Sequence, residues 1–127
     1  MEDGTTTSDR REFDLAERTA LFGEAVISFV RSMRRDDVSG PLIRQLVRSA
    51  TSIGANYTEA DEAGSNKEFC YRISVCCREA RETQYWLRMI AAASPEQKTD
   101  ARVHWQEANE LTRIFGSIHR KSKPKLK

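Results

Sequence analysis

The sequence has few of the features that mark membrane or secreted proteins. No run of eighteen apolar residues occurs in the 127-residue chain, so no segment has the length of a membrane-spanning helix. The first residues, MEDGTTTSDRREF, are acidic and polar, whereas a signal peptide starts basic and continues apolar. We therefore expect a soluble, cytoplasmic protein.

The residues that build metal or catalytic centres are also scarce. The three cysteines, Cys70, Cys76 and Cys77, are odd in number and follow neither Cys-x-x-Cys nor zinc-site spacing, so they predict reduced thiols in or near the core. Both histidines, His104 and His119, belong to one predicted helix, and the Glu-x-x-His motif of di-iron bundles does not occur. No glycine-rich loop or nucleophile elbow occurs either. We predict no metal, no cofactor and no enzymatic activity.

Glycine and proline are scarce too, at six and three residues, and 31% of the residues are charged. This composition favours a helical domain with a wet exterior. Four segments carry apolar residues with the period of an amphipathic helix: the second and third have unbroken steps of three and four, the first has one polar gap, and the stripe of the fourth, from Val103 to Ile118, is looser. Because short connections join them, we predict an all-α, antiparallel up-down-up-down four-helix bundle. The predicted division is a disordered segment 1–11, a bundle domain 12–118 and a basic tail 119–127.

Capping residues predict where these helices begin and end. The first should start between Asp9 and Glu12, with a polar gap at Arg18 and Thr19 in its apolar heptad pattern. Ser39 is the predicted N-cap of the second helix.

The connections around the third helix carry similar signals. Gly64 should end the second helix, since glycine is favoured just beyond a helix C-terminus. Ser65–Glu68 and Ser94–Gln97 have the spacing of capping boxes that open the third and fourth helices.

Short polar residues recur along one face of the second and third helices. A solvated face would usually carry Lys, Glu or Gln, since Ser, Thr and Asn are mediocre helix formers. Two interpretations stay open: a plain solvated face, or a polar seam buried between helices or between subunits. The aromatic pair beside it is either a corner of the core or an interface anchor. The candidate residues of the seam or interface are Arg48, Ser52, Asn56, Glu59, Glu79, Glu82, Tyr85 and Trp86.

The charge is unevenly distributed along the chain. Residues 1–112 hold fifteen basic and nineteen acidic residues, whereas residues 113–127 hold six basic residues and no acid. The tail is either a solubilising end or an arm that binds phosphates, because clustered Lys and Arg release counterions from a nucleic-acid backbone. The candidate phosphate-binding residues are Arg113, Arg120, Lys121, Lys123, Lys125 and Lys127.

Two stretches, RSATSIGANYTEADEAGSNKEF at 48–69 and EARETQYWLRMI at 79–90, together with FDLAERTALF near the N-terminus, carry a family resemblance. They resemble the bacterial four-helix-bundle proteins encoded by intervening sequences within 23S ribosomal RNA genes. The likeness covers roughly residues 12–93. Its motif falls on Arg48, Ser49, Ser52, Asn56, Glu59, Ala60, Ser65, Phe69, Glu79, Glu82, Thr83, Tyr85, Trp86 and Leu87.

This family is similar to the accessory proteins of diversity-generating retroelements. The resemblance implies a homopentameric ring, nucleic-acid binding without strong sequence preference, and in the retroelement case a reverse transcriptase as partner. The acidic excess of residues 1–112 departs from a uniformly basic bundle, so we expect the tails to make the RNA or DNA contacts. Our hypothesis is a non-enzymatic, oligomeric bundle that binds RNA or DNA electrostatically, and the alternative is a protein-interaction scaffold without nucleic-acid binding.

Overall fold

The computed structural model describes residues 7–123, and their side chains from residue 15 onward. Within that range the chain forms four α-helices and no strand, which confirms the predicted all-α four-helix fold. Their bounds are α1 Thr7–Arg31, α2 Ser39–Asp61, α3 Asn66–Ala93 and α4 Lys98–Ser122, and a single 3-10 turn, Pro95–Gln97, precedes α4.

The four helices do not contact one another equally. α3 packs along both α2 and α4, and α1 packs along α2. By contrast, α1 and α4 touch only sparsely. An open cleft of about 620 Å³ therefore lies between α1 and α4, with Phe22 and Ala25 on one side and Val103 and His104 on the other.

The predicted apolar stripes of α2 and α3 form the centre of the core, whereas Val103, which the prediction placed in the α4 stripe, is 60% exposed. Both middle helices contribute side chains at steps of three and four, and burial of one Leu or Ile side chain stabilises the fold by about 1.5–3 kcal/mol. The core residues of the two middle helices are Ile43, Leu46, Ala50, Ile53 and Ala60 on α2, and Ile73, Cys76, Ala80, Leu87 and Ile90 on α3.

The polar gap predicted in α1 lies where α1 approaches α2 closely. Thr19 is buried, and its Oγ1 donates to the backbone oxygen of Leu15 at 2.8 Å. Gly54 of α2 lies opposite, and a Cβ atom at that position would come within 3.1 Å of Thr19 Oγ1. A threonine that is satisfied within its own helix thus fits against a glycine.

The start of α2 corrects the predicted cap. Ser39 is the first helical residue rather than the N-cap. The Asp36 carboxylate accepts hydrogen bonds from the backbone N–H groups of Val38, at 2.9 Å, and Ser39, at 2.8 Å. These bonds, led by that from Ser39, lower the pKa of Asp36. The Asp36 carboxylate, rather than the Ser39 hydroxyl, therefore accepts the backbone donors at the start of α2, and Ser39 Oγ instead accepts from Asp36 N–H at 3.0 Å.

The end of α2 also differs from the prediction. Gly64 does not have a positive φ, and α2 ends at Asp61. The N–H groups of Glu62 and Ala63 instead donate to the carbonyls of Glu59 and Ala60. This tightened last turn removes the need for a left-handed glycine.

The two predicted capping boxes have different outcomes. At α3, the Ser65 hydroxyl accepts from Glu68 N–H at 3.1 Å, while the Glu68 carboxylate accepts from Gly64 N–H at 3.4 Å. At Ser94 the predicted box is wrong, because no side chain caps the turn. The Ser94 carbonyl accepts from Gln97 N–H at 2.8 Å and starts a 3-10 turn instead.

Candidate nucleic-acid interface

Part of the predicted polar seam links α2 to α3 within one chain. The Arg48 guanidinium pairs with the Glu82 carboxylate, and its Nη1 lies 3.3 Å from Glu79 Oε1. Trp86 Nε1 donates to Glu82 Oε2 at 3.1 Å. These four residues form one network along the outer edge of the α2–α3 contact.

Further along α2 the predicted seam continues to Asn56 and ends at the exposed Glu59. Asn56 is half-buried, and its Oδ1 accepts from Arg72 Nη1 at 3.0 Å. Ser52 contributes its backbone oxygen, which accepts from Asn56 Nδ2 at 2.9 Å. Glu59 is exposed and makes no ion pair or side-chain hydrogen bond with the rest of residues 15–123. Glu59 therefore lies outside the network of the single chain, and its interface role stays a prediction.

The aromatic pair divides between core and surface. Trp86 is half-buried against the core, and the Tyr85 ring meets it edge-on at 5.0 Å between ring centroids. Tyr85 itself is 53% exposed. Trp86 thus forms a corner of the core in this chain, and Tyr85 as an interface residue stays a prediction.

One buried polar contact of this region was missed from the sequence. Thr83 Oγ1 donates to Ser49 Oγ at 2.9 Å, with both side chains fully buried between α2 and α3. Thr83 occupies a position of the α3 apolar stripe, and Ser49 borders that of α2. Two hydroxyl residues on facing stripes are the signal that could have revealed the pair.

The basic segment begins inside α4. This helix continues to Ser122, so Arg120 and Lys121 are part of it, as is Arg113 two turns earlier. All three side chains are exposed. Lys123 is exposed just after the helix end. The other two predicted phosphate-binding residues, Lys125 and Lys127, lie outside the described residues. The predicted division into segment 1–11, domain 12–118 and tail 119–127 stays a prediction.

A stripe without acidic residues runs the full length of α4. Its members recur at steps of three and four, and 22 residues separate Lys98 from Arg120, which is close to six full helical turns, with Lys123 following just after the helix end. They therefore share one side of the helix, beside α3. The stripe consists of Lys98, Arg102, Trp105, Asn109, Thr112, Gly116, Arg120 and Lys123.

A matching stripe on α3 borders it, and polar contacts fix the antiparallel alignment of the two. Gln84 Nε2 donates to Asn109 Oδ1 at 3.3 Å, and Thr112 Oγ1 donates to Gln84 Oε1 at 3.1 Å. Toward the other end, Asn66 Nδ2 donates to the Ser122 carbonyl at 3.2 Å. The α3 stripe consists of Cys77, Arg81, Gln84, Arg88 and Ala91. Together the two stripes are named the basic face.

The acidic residues of α4 that pair with a neighbouring helix point toward α1. Arg18 Nε lies 2.6 Å from Glu107 Oε2, and Arg18 Nη2 lies 3.2 Å from Glu110 Oε1. Hydrogen bonding to Glu107 raises the pKa of Arg18. On α3, Glu79 and Glu82 point toward α2 and pair with Arg48, as described above. These four glutamates thus point away from the basic face.

The cations of the basic face that lie near the start of α4 and the end of α3 have no such partners. Arg88, Lys98 and Arg102 are exposed, and none of them forms an ion pair with any residue whose side chain is described. Together with Trp105 they line one cavity of about 310 Å³, and the floor of this cavity is apolar. Sequence reasoning missed this cluster because it followed net charge along the chain; the periodicity of cations from residue 98 to 123 is the signal that could have revealed it.

The described side chains offer no metal centre: no group of three or more His, Cys, Asp or Glu among them could hold a metal ion. His104 packs instead on Phe29, with 5.0 Å between ring centroids, and its burial lowers its pKa. Burial also raises the pKa of the Cys76 thiol to about 12. None of the helices in the described range is long and apolar enough to span a bilayer.

The comparisons with known proteins agree with the resemblance in the motif residues. Residues 11–117 match the family model of the 23S rRNA-intervening sequence protein. The chain belongs to this family. No curated protein is significantly similar to it.

Among solved structures, a similar fold occurs in a Bacteroides thetaiotaomicron VPI-5482 protein, described as having unknown function and belonging to the S23 ribosomal protein family. The two chains are 25% identical, with a TM-score of 0.72 over 82% of this chain and 96% of the other. This similarity and the family match support the four-helix bundle.

Proposed function

We propose that this 23S rRNA-intervening sequence protein is a non-enzymatic bundle that binds the phosphate backbone of RNA or DNA along its basic face. One observation carries the proposal: the α3 and α4 stripes hold cations and neutral polar groups with no acid among them. Unpaired Lys and Arg attract phosphates and release condensed counterions on binding. An acid within the stripe would reduce that attraction.

The geometry of α4 matches an extended ligand better than a small one. From Lys98 to Ser122 the helix rises by roughly 36 Å at 1.5 Å per residue. Arg102 and Arg120 lie between these ends on the same side. A polyanion can contact all of these cations at once, whereas a single phosphate can contact only one end. The C-terminal residues would extend the same contact.

The test is a salt titration of oligonucleotide affinity with charge-matched variants. In R88Q/R102Q/R120Q we expect a weaker affinity and a shallower dependence of log K on log salt, by up to about 2–3 in slope, because each phosphate contact contributes about 0.7–0.9. The control, R31Q/R35Q/R44Q, removes three exposed arginines outside the basic face and so changes net charge equally. Equal losses in both variants would mean that net charge, and not this face, drives binding.

A truncation after Ser122 separates the contribution of the tail. It removes residues 123–127 and leaves α4 at its full length. We expect part of the salt dependence to be lost, and the rest to remain on the helical cations. If truncation abolishes binding, the tail alone is the binding element, and if it changes nothing, the tail is only solubilising.

A second candidate function, a protein-interaction scaffold, is favoured by the α1–α4 cleft. Leu21 and Val103 are 52% and 60% exposed and line the same cleft. Exposed apolar clusters often mark protein contacts. This function predicts no salt-dependent oligonucleotide binding by the wild-type protein, so the titration above distinguishes the two.

Assembly is a separate part of the proposal. The pentameric ring and the reverse transcriptase partner implied by the resemblance stay predictions. A ring would gather several basic faces and multiply weak phosphate contacts through effective concentration. The mass of the protein in solution tests the ring directly, and L21S/V103S tests whether the α1–α4 cleft takes part in it.

A further inference from the structure

Trp105 is a large aromatic side chain for which the fold supplies no partner. It is 37% exposed on α4, and its indole makes no hydrogen bond or ring contact with the other described side chains. The other tryptophan, Trp86, is half-buried, hydrogen-bonded to Glu82 and packed against Tyr85. Trp86 therefore has a structural explanation, whereas Trp105 has none in the isolated chain.

The surroundings of Trp105 combine two chemistries. Apolar side chains of Leu87, Ala91 and Ala101 form the floor of the cavity of about 310 Å³ beside it. The same cavity is lined by Arg88, Lys98 and Arg102, and by no acidic residue. This volume lies at the lower end of the range for ligand pockets, about 300–1,000 Å³.

We infer that this cavity holds one unpaired nucleobase stacked on Trp105, with the neighbouring phosphates bound by Arg88, Lys98 and Arg102. The inference rests on the proposed function and adds a ligand class: single-stranded nucleic acid rather than duplex. An apolar floor and an aromatic face suit the flat, π-rich body of a base. The surrounding cations suit the negatively charged phosphates on both sides of that base.

The combination discriminates between single and double strands for a physical reason. Bases in a duplex are stacked on one another, so a duplex offers this site only its phosphates. An unpaired base is free to leave its neighbours and stack on the indole. Such stacking contributes about 1–3 kcal/mol per base and tolerates every base, because each has a π-face. The cations alone would bind both forms.

The experiment compares three oligonucleotides with matched backbones. The first is oligothymidine of about 12 nucleotides, within the site sizes of known single-strand binders. The second has the same length but abasic sugars, so that it keeps the phosphates and lacks the bases. The third is a duplex of the same length. Fluorescence anisotropy gives the affinity of each for wild type, W105A, W105F and the control W86F, with circular dichroism to verify folding.

We expect W105A to weaken oligothymidine binding about fivefold or more, as loss of one stacking contact predicts. W105A should bind the abasic oligomer and the duplex within about twofold of the wild-type affinity. Its dependence of log K on log salt should also stay close to that of wild type. W105F should recover most of the loss, since a phenyl ring also stacks. W86F should bind all three ligands as wild type does.

A direct readout uses the intrinsic fluorescence of Trp105. The chain has two tryptophans, so W86F leaves Trp105 as the only one. Oligothymidine should quench its emission, whereas the abasic oligomer should not.

Each contrary result has its own meaning. Equal losses on oligothymidine and the abasic oligomer, or no loss on either, would overturn the stacking site while leaving the proposed function intact. If wild type binds none of the three in a salt-dependent way, the proposed function itself fails, and the stacking site fails with it.

Discussion

Thr83 Oγ1 and Ser49 Oγ hydrogen-bond at 2.9 Å across the buried contact between α2 and α3. Each hydroxyl also has an acceptor in its own helix, Glu79 O for Thr83 and Leu46 O for Ser49. Neither is therefore left without a partner when the other is removed. The pair ties the two middle helices together without a charge.

From this pair we predict that T83V and S49A each lower the free energy of unfolding by about 1 kcal/mol, the net value of one hydrogen bond. The double variant should cost less than the sum, because the same bond is lost only once. Urea unfolding of the four proteins measures the coupling, which should be about 0.5–1.5 kcal/mol. T58V, which alters an exposed hydroxyl of α2, is the control; strictly additive losses would contradict the prediction.

The second prediction concerns Arg48, which lies between Glu79 and Glu82. The Arg48 side chain is 45% exposed but that of Glu79 is only 13% exposed, so R48M leaves a poorly hydrated carboxylate without its cation. We expect a loss of about 1 kcal/mol in the free energy of unfolding, discounted for the exposure of the arginine.

A second substitution and a control isolate the cause. In R48M/E79Q part of the loss should be recovered, since the unpaired charge is gone. R44M changes another exposed arginine of α2, which has no ion pair among the described side chains, and should cost less than about 0.5 kcal/mol. If R48M/E79Q unfolds as easily as R48M, the ion pair is not the reason for the loss.

The relation between sequence and fold differs from element to element. The stripes of α2 and α3 were predictable because an unbroken period of three and four leaves one helix face apolar, and burial of that face outweighs every other contribution. Helix ends were less predictable. Asp36, rather than Ser39, accepts backbone donors at the start of α2, since several short polar side chains lie near this start and small free-energy differences decide which of them caps it.

The candidate site shows a different limit. A count along the chain predicted an acidic body, yet Glu107 and Glu110 point toward α1 while Arg88 and Arg102 flank the α3–α4 contact. Charge per segment averages over helix faces, whereas a ligand meets one face at a time. The helical period of the cations was available in the sequence; the alignment of α3 against α4 that brings Arg88 beside Arg102 was not.

The third prediction is a pH dependence that involves His104. Burial lowers the pKa of this imidazole, and the nearby Asp100 opposes that effect only in part. The unfolded chain, with an ordinary histidine pKa of about 6.5, therefore binds the proton first as the pH falls. The free energy of unfolding should decrease from about pH 7 toward pH 5 and stay at its higher value above that range.

Replacing the imidazole tests this assignment. In H104Q the decrease between about pH 7 and 5 should be smaller than in wild type, as measured by urea unfolding at several pH values. V103A alters the adjacent exposed side chain without a titrating group and should keep the wild-type slope. A slope that is unchanged in H104Q would show that other groups cause it.

The fourth prediction compares the same substitution at two helical glycines. In the middle of a helix, Gly to Ala is usually favourable by up to about 1 kcal/mol. At Gly23 the new Cβ would lie 3.6 Å from Thr51 Cγ2, an ordinary contact, so G23A should stabilise the protein. At Gly54 it would lie 3.1 Å from Thr19 Oγ1, on a buried β-branched side chain that cannot easily move, so G54A should be less stable than G23A by about 1–2 kcal/mol. G54A/T19S keeps both the hydroxyl oxygen and the Cβ atom that the new methyl group meets and should recover little, whereas G54A/T19A removes the Oγ1 atom and should recover most of the difference. If thermal unfolding ranks G54A at or above G23A, the approach of α1 to α2 is looser than these distances imply.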